Sequence, residues 1–230
     1  MHSEPPGPIG RRADTRTALI DAAERLLAER GIFAVPLREV SQAAGQRNNS
    51  AAQYHFGSRE VLVQAIIGAR SEQVGVLRAR LMSAGIAHPA TQEGRARELL
   101  GYFVLPLAGL LRSAGGTSSY LRFLSRCVDE PSLLALWRAA HVEPVLMGDA
   151  YRELRGLVPE QSGALFARRM EWAAQASLRI LAEQERLGTS ALGELPAVCD
   201  EVLAMMASLL LRPVAPSAPE VGAGLAAVTR

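Results

Sequence analysis

The chain contains no lysine: all 25 basic residues are arginine, a bias that reads first as GC-rich coding and only secondarily as chemistry. Aromatic residues make up only 5%, and β-branched residues are sparse beside alanine and leucine. That balance disfavours sheets and favours helices. There are only two cysteines, Cys127 and Cys199, each inside an apolar stretch and outside any CxxC or Cys/His pattern. A disulfide framework is therefore excluded, and buried reduced thiols are expected. The net charge of +2 excludes a polybasic nucleic-acid coat and an acidic tail, so any basic surface must be local. Long apolar runs are also absent. The longest, residues 103–111 and 203–211, are about half of what a membrane span needs.

Residues 1–10 are rich in proline and glycine without an apolar core, so no signal peptide is expected. Arg11-Arg12 is a twin arginine lacking the hydrophobic run that export requires. A soluble, cytoplasmic protein is the expectation. At 230 residues and 49% hydrophobic, the chain can bury a substantial core without staples.

Catalytic and metal signatures are missing as well. There is no GxSxG, HExxH or P-loop, and His2, His55, His88 and His141 show no ligand spacing with the cysteines. The run from Gly222 to Ala227 imitates a dinucleotide motif, but no strand precedes it. The Asn48-Asn49-Ser50 sequon has no meaning without export. No enzyme activity, cofactor or metal is implied.

What is present is helical periodicity. Residues 1–13 read as a flexible arm. From residue 15 to 30, Leu19, Ala22, Ala23, Leu26 and Leu27 form one stripe with Asp21, Glu24 and Arg25 opposite, and Gly31 signals the end. Short helices follow at 37–44 and about 49–56, the second opened by Asn48-Asn49. Ser58 then caps a long helix to about residue 84. Further helices are expected near 92–113, 118–128, 131–155, 160–187 and 195–211, kinked or split at Pro106 and Pro144. Their breaks fall at His88-Pro89, 115–116, 130–131, 158–159 and 188–193. The proline-bearing tail, 213–230, reads as disordered.

Residues 37–56 have the form of a helix-turn-helix. Leu37, Val40 and Ala44 face inward, Gly45 makes the turn, and Phe56 returns to the core. The exposed face carries Arg47, Asn49, Ser50, Gln53 and Tyr54. Asn and Gln can pair with adenine edges, Arg with guanine, and Ser and Tyr can reach phosphates. The start of the second helix adds backbone N–H groups and a positive dipole end. Residues 37–59 hold three Arg against one Glu, a local excess equal to the charge of the whole chain. A solvated helix pair without DNA is the alternative at this point.

The stretch ALIDAAERLLAERGIFAVPLREVSQAAGQRNNSAAQYHFGSREVLVQAI resembles the N-terminal DNA-binding domain of the TetR/AcrR family of transcriptional regulators. The resemblance spans roughly residues 15–67, and Y-H-F-x-S-[KR]-E-x-L is its most specific part. It implies an all-α protein: a three-helix helix-turn-helix domain at 14–60, then a helical effector-binding and dimerisation domain at 61–212. By analogy, Arg47, Asn48, Asn49, Ser50 and Gln53 face bases, while Tyr54, His55, Ser58 and Arg59 lie nearer the phosphates. Arg11, Arg12 and Arg16 are candidates for an adjacent minor groove. One departure stands out. From Gly45 to Phe56 the chain is one residue longer than the common pattern, and Gln53 replaces a frequent aromatic, so the turn is longer or the recognition helix starts later.

One recognition helix reads few base pairs, so a homodimer with two such helices about 34–36 Å apart is expected. Family likeness points to a four-helix bundle, with Leu165, Phe166, Met170, Ala173, Ala176 and Ile180 facing Val198, Val202, Met205, Met206 and Leu209. Packing of both stripes within one subunit is the alternative. Tyr102, Phe103, Tyr120, Phe123, Trp137, His141, Met147 and Tyr151 are candidates to line an effector cavity, with Arg122 and Arg126 adding polar contacts. Plain core is the competing reading for the aromatics. The function implied is a repressor released from operator DNA by a small, largely apolar effector. A ligand-independent or activating regulator, or a helical ligand-binding protein without DNA binding, are the alternatives.

Overall fold

The computed structural model describes residues 8–85, 90–141 and 145–213, and their side chains apart from 8–13, 137–141 and 145–147. The expected breaks at His88-Pro89 and Pro144, and nearly all of the tail, lie outside the described residues, as do residues 1–7 of the arm.

Ten α-helices carry the described chain, and no strand is found among the described residues. They are α1 (Pro8–Arg30), α2 (Leu37–Ala43), α3 (Ala51–Phe56), α4 (Arg59–Ala84), α5 (Gln92–Ser113), α6 (Tyr120–Val128), α7 (Pro131–His141), α8 (Val145–Gly156), α9 (Gly163–Leu187) and α10 (Leu195–Leu211). A 3₁₀ turn, Gly188–Ala191, links the last two. The segment expected over 131–155, kinked or split at Pro144, is two helices, α7 and α8. Helix α1 begins at Pro8, so residues 8–13 of the expected arm are helical. Proline suits a first helical position, where its missing N–H has no intrahelical acceptor to serve.

Helix α1 is the centre of the molecule. Leu19, Ala23 and Leu27 are fully buried, and α1 packs on α2, α4 and α6. Because α4 and α6 cover its second side, Glu24 is buried at 5% exposure and not on a solvated face as its spacing suggested. Its carboxylate accepts from Arg70 Nε at 2.6 Å, while Arg70 Nη2 donates to Asp21 at 2.8 Å. Burial pushes the Glu24 carboxyl above its ordinary range, and Arg70 opposes that rise.

Helix α5 passes Pro106 without splitting. Proline lacks the N–H that would reach the carbonyl of residue 102, so that oxygen needs another donor. Buried Arg78 of α4 supplies it, with Nε donating to the Tyr102 carbonyl at 3.0 Å. The helix defect and the buried cation satisfy each other.

Helix α10 lies against α5 and α9. Its terminal carbonyls are met by α9 and the loop before it: Gln161 Nε2 donates to Leu210 O at 2.6 Å, and Arg169 Nη1 bonds the Arg212 carbonyl. A cation at a helix C-terminus also complements the dipole. Cys127 and Cys199 are free and buried, and burial pushes the Cys127 thiol up to about 12.

The Pro106–Arg78 relation is testable by denaturant unfolding. In the native background Arg78→Met should cost about 1–3 kcal/mol, because it strands a buried carbonyl. In a Pro106→Ala background residue 106 regains its N–H, and the same change should cost clearly less. Equal costs in both backgrounds would show that Arg78 acts by packing alone.

Candidate nucleic-acid interface

The helix-turn-helix is assembled by a few polar bonds over an apolar base. Val40, Ala52 and Phe56 close the base against Leu19, Ala23 and Leu27 of α1. Ser41, fully buried, joins the two short helices. Its hydroxyl accepts the Ala52 amide at 2.9 Å and lies 3.3 Å from the Leu37 carbonyl it donates to. Nothing in the sequence pattern singled out Ser41, because a serine at an inward position looks like any small residue until its partner helix is known.

The turn between α2 and α3 is long, as the extra residue implied. Gly45, at φ +68°, takes the left-handed conformation that ends α2. Asn48 then builds the connection: its Oδ1 accepts the Ser50 amide at 2.9 Å and its carbonyl accepts the Ala51 amide at 3.0 Å. Helix α3 therefore starts at Ala51, and Asn48 and Asn49 sit in the turn ahead of it. Arg47, Asn48, Asn49 and Ser50 are exposed there, followed by Gln53 and Tyr54 on α3. Tyr54 is 71% exposed, and its ring meets half-buried His55 edge-on at 5.5 Å. Gln53 Nε2 donates to the Gly57 carbonyl at 2.5 Å.

The second half of the motif turns inward. Phe56 enters the core with the Arg16 guanidinium 5.3 Å above its ring, so Arg16 is drawn onto the domain. Ser58 caps α4 by accepting the Val61 amide at 3.3 Å. Half-buried Arg59 reaches back to the loop after α1: Nη1 donates to Val35 O at 2.7 Å and to Ile32 O, and the guanidinium lies 5.8 Å from the Phe33 ring centre. Of the nine candidate DNA residues, Arg47, Asn48, Asn49, Ser50, Gln53 and Tyr54 share one exposed surface, with His55 beside it. Ser58 and Arg59 are engaged in holding the fold.

The candidate dimer residues separate similarly. Phe166, Met170, Ala173, Val202 and Met206 are buried within the subunit, whereas Met205 is 37% exposed and Leu209 half-buried. The outward apolar line on α9 runs instead through half-buried Leu165, exposed Trp172 and half-buried Ala176. Among the effector candidates, Tyr120 and Phe123 are fully buried and stack at 6.2 Å. Tyr102 is buried with its hydroxyl 3.2 Å from the Glu98 carboxylate. Tyr151 packs edge-on against Phe166 at 5.2 Å, and Phe103 is half-buried. The side chains of Trp137, His141 and Met147 lie outside the described residues. Three cavities are lined by described residues: one between α1, α6 and α9, one between α4 and α5, and one between α5 and α10. None of the aromatic candidates lines them. Among the described residues no group of His, Cys, Asp and Glu could hold a metal, and no helix is long and apolar enough to cross a membrane.

The all-α chain thus opens with a three-helix unit of helix-turn-helix form that presents a polar turn and helix face. Residues 19–66 match the model for bacterial regulatory proteins of the tetR family. The helix-turn-helix of this chain is accordingly similar to the DNA-binding domain of tetR-family regulators. The solved structure of GusR of Salmonella enterica shares its fold, aligning with TM-score 0.50 and 15% identity over 85% of this chain and 95% of that one. A Mesorhizobium loti protein assigned to the TetR family aligns at TM-score 0.48 and 15% identity over 86% and 98%. RolR in complex with resorcinol aligns at 0.42 and 19% over 90% and 98%. No curated protein matches the chain.

Ser41→Ala should lower folding stability by about 1–3 kcal/mol, since it leaves the Ala52 amide unpaired inside the domain. A thermal or urea midpoint equal to wild type would remove Ser41 from the assembly of the helix pair.

Proposed function

We propose that the protein represses transcription as a homodimer bound to a two-fold operator and leaves it when a small, largely apolar effector binds the C-terminal domain. The observation that carries the DNA half is the exposed polar surface at residues 47–54, held by Ser41, Asn48 and Arg59 on an otherwise closed apolar base. Arg47 and Asn49 are the principal base readers. They are exposed, and no hydrogen bond ties them down among the described residues. Asn48 shapes the turn, Ser50 and Tyr54 meet phosphates with His55 at the edge, and Gln53 reads a base after exchanging its bond to Gly57. Ser58 and Arg59 act by positioning. The protein works in the cytoplasm, where the DNA is.

The second copy docks on the outward side of α9 and α10. Trp172 at 53% exposure, Met205, Leu165, Ala176 and Leu209 form an apolar line that one subunit leaves uncovered, and a two-fold partner would bury the same line from both sides. The effector enters between α5, α7 and α8, where Phe103 and Tyr151 remain half-buried beside a closed aromatic core. Filling that region shifts α4 relative to α1 and changes the spacing of the recognition helices. Coupling of about 1–3 kcal/mol would alter operator affinity roughly 5–150-fold.

Fluorescence anisotropy against the DNA upstream of the protein's own gene and against random DNA, across a salt series, tests the reading. Arg47→Ala should weaken specific binding by about 1–3 kcal/mol and relax one base position. A loss equal on both DNAs would move Arg47 to the phosphates. In vitro transcription from the bound fragment separates repression from activation.

Trp172→Asp should convert the dimer to a folded monomer in sedimentation experiments, with its circular dichroism unchanged. A dimer of undiminished stability would place the seam elsewhere.

A further inference from the structure

We infer that the cleft between α1, α6 and α9 is a site for a small polyanion, separate from the aromatic region, and that its occupant controls how tightly the DNA-binding domain is held. The cleft encloses about 480 Å³, within the range of small-molecule sites. Arg122 and Arg126 of α6 and Arg179 and Arg186 of α9 line it, with Ser125 between the first two; Glu183 of α9 also lines it, and Glu29 of α1 lies on the facing wall.

Several of these charges have local partners. Arg179 pairs with Asp129 at the rim, and Arg186 pairs with Glu183 one turn away. The α6 pair is different. Arg122 and Arg126 stand one turn apart on the same helix, a like-charge spacing that is unfavourable. Arg126 is exposed and makes no ion pair or hydrogen bond among the described residues. Arg122 donates from Nη2 to the Ser119 hydroxyl at 3.1 Å and stands at ion-pair distance, 3.5 Å, from Glu185, but its buried Nε has no hydrogen-bond acceptor. Glu185 supplies opposite charge but no hydrogen bond to that Nε, because its two oxygens accept the Leu121 and Arg122 amides at 3.2 and 2.8 Å and so cap α6. A buried unsatisfied guanidinium donor, a free guanidinium beside it and a hydroxyl between them suit a compact anion with two or more negative charges.

The placement of Glu29 gives the site its consequence. The arginines belong to the C-terminal domain and the carboxylate to the last turn of α1. Glu29 faces those arginines across the cleft without an ion pair among the described residues, so with the cleft empty it draws α1 toward them by longer-range attraction. A polyanion takes over those arginines, repels Glu29 and loosens that hold.

Isothermal titration of the full-length protein, without DNA, measures this directly, using inorganic pyrophosphate and citrate at constant ionic strength set by chloride. Wild type should bind one anion per subunit. Arg126→Gln, an exposed change whose fold circular dichroism can verify, should weaken binding at least tenfold, and Glu29→Gln should tighten it. Preference for pyrophosphate would identify a phosphorylated ligand, and preference for citrate a polycarboxylate. No binding of either anion, or equal binding by wild type and Arg126→Gln, would overturn the site. Because the titration contains no DNA, its result stands apart from the regulator reading.

Discussion

The ion pair between Glu24 and Arg70 fixes the geometry on which the rest of the molecule depends. Glu24 is buried in α1, the helix that braces the helix-turn-helix, and Arg70 is on α4, the helix that leaves it. The backbone of Ser119, at the start of α6, lies close enough to the same carboxylate to help offset the rise that burial causes. One side chain thus joins the recognition unit to both helices through which the C-terminal domain meets it. A buried carboxylate is costly without partners, and removal of one partner leaves a charge uncompensated. The junction is therefore stiff in one arrangement, which suits the proposed dimer, where the separation of two recognition helices matters.

Much of this architecture was legible in the sequence. The stripe of Leu19, Ala23 and Leu27, the Gly31 stop, the Ser58 cap and the inward Phe56 all follow from helix period and capping chemistry, and all appear in the fold. What escaped was whatever depends on a partner remote in sequence. Glu24 looked solvated because periodicity sees one face of a helix, not the two helices that cover the other. Ser41 and Arg78 carried no signal because their acceptors and donors lie on other helices. The stripes of α9 and α10 were visible, but period alone cannot distinguish a side facing its own subunit from a side facing a copy. Phe166 and Met206 turned inward; Trp172, given no role in the sequence reading, turned outward.

The signature Y-H-F-x-S-R-E-x-L divides between two tasks. Tyr54 and His55 belong to the exposed surface, while Phe56, Ser58, Arg59 and Leu62 build the corner from which α3 is presented. Most of the run thus serves the demands of a tight corner, and the turn residues ahead of α3 lie outside that corner.

The proline in α5 has a historical consequence. Arg78 is useful only while position 106 lacks an amide hydrogen, and proline at 106 is tolerable only while position 78 reaches the orphaned carbonyl. Neither change can arise first without a penalty, so descendants of this chain should keep both residues or lose both. The pair is a small ratchet: it ties the packing of α4 on α5 to a single ancestral choice, independent of whatever operator or effector each descendant comes to recognise.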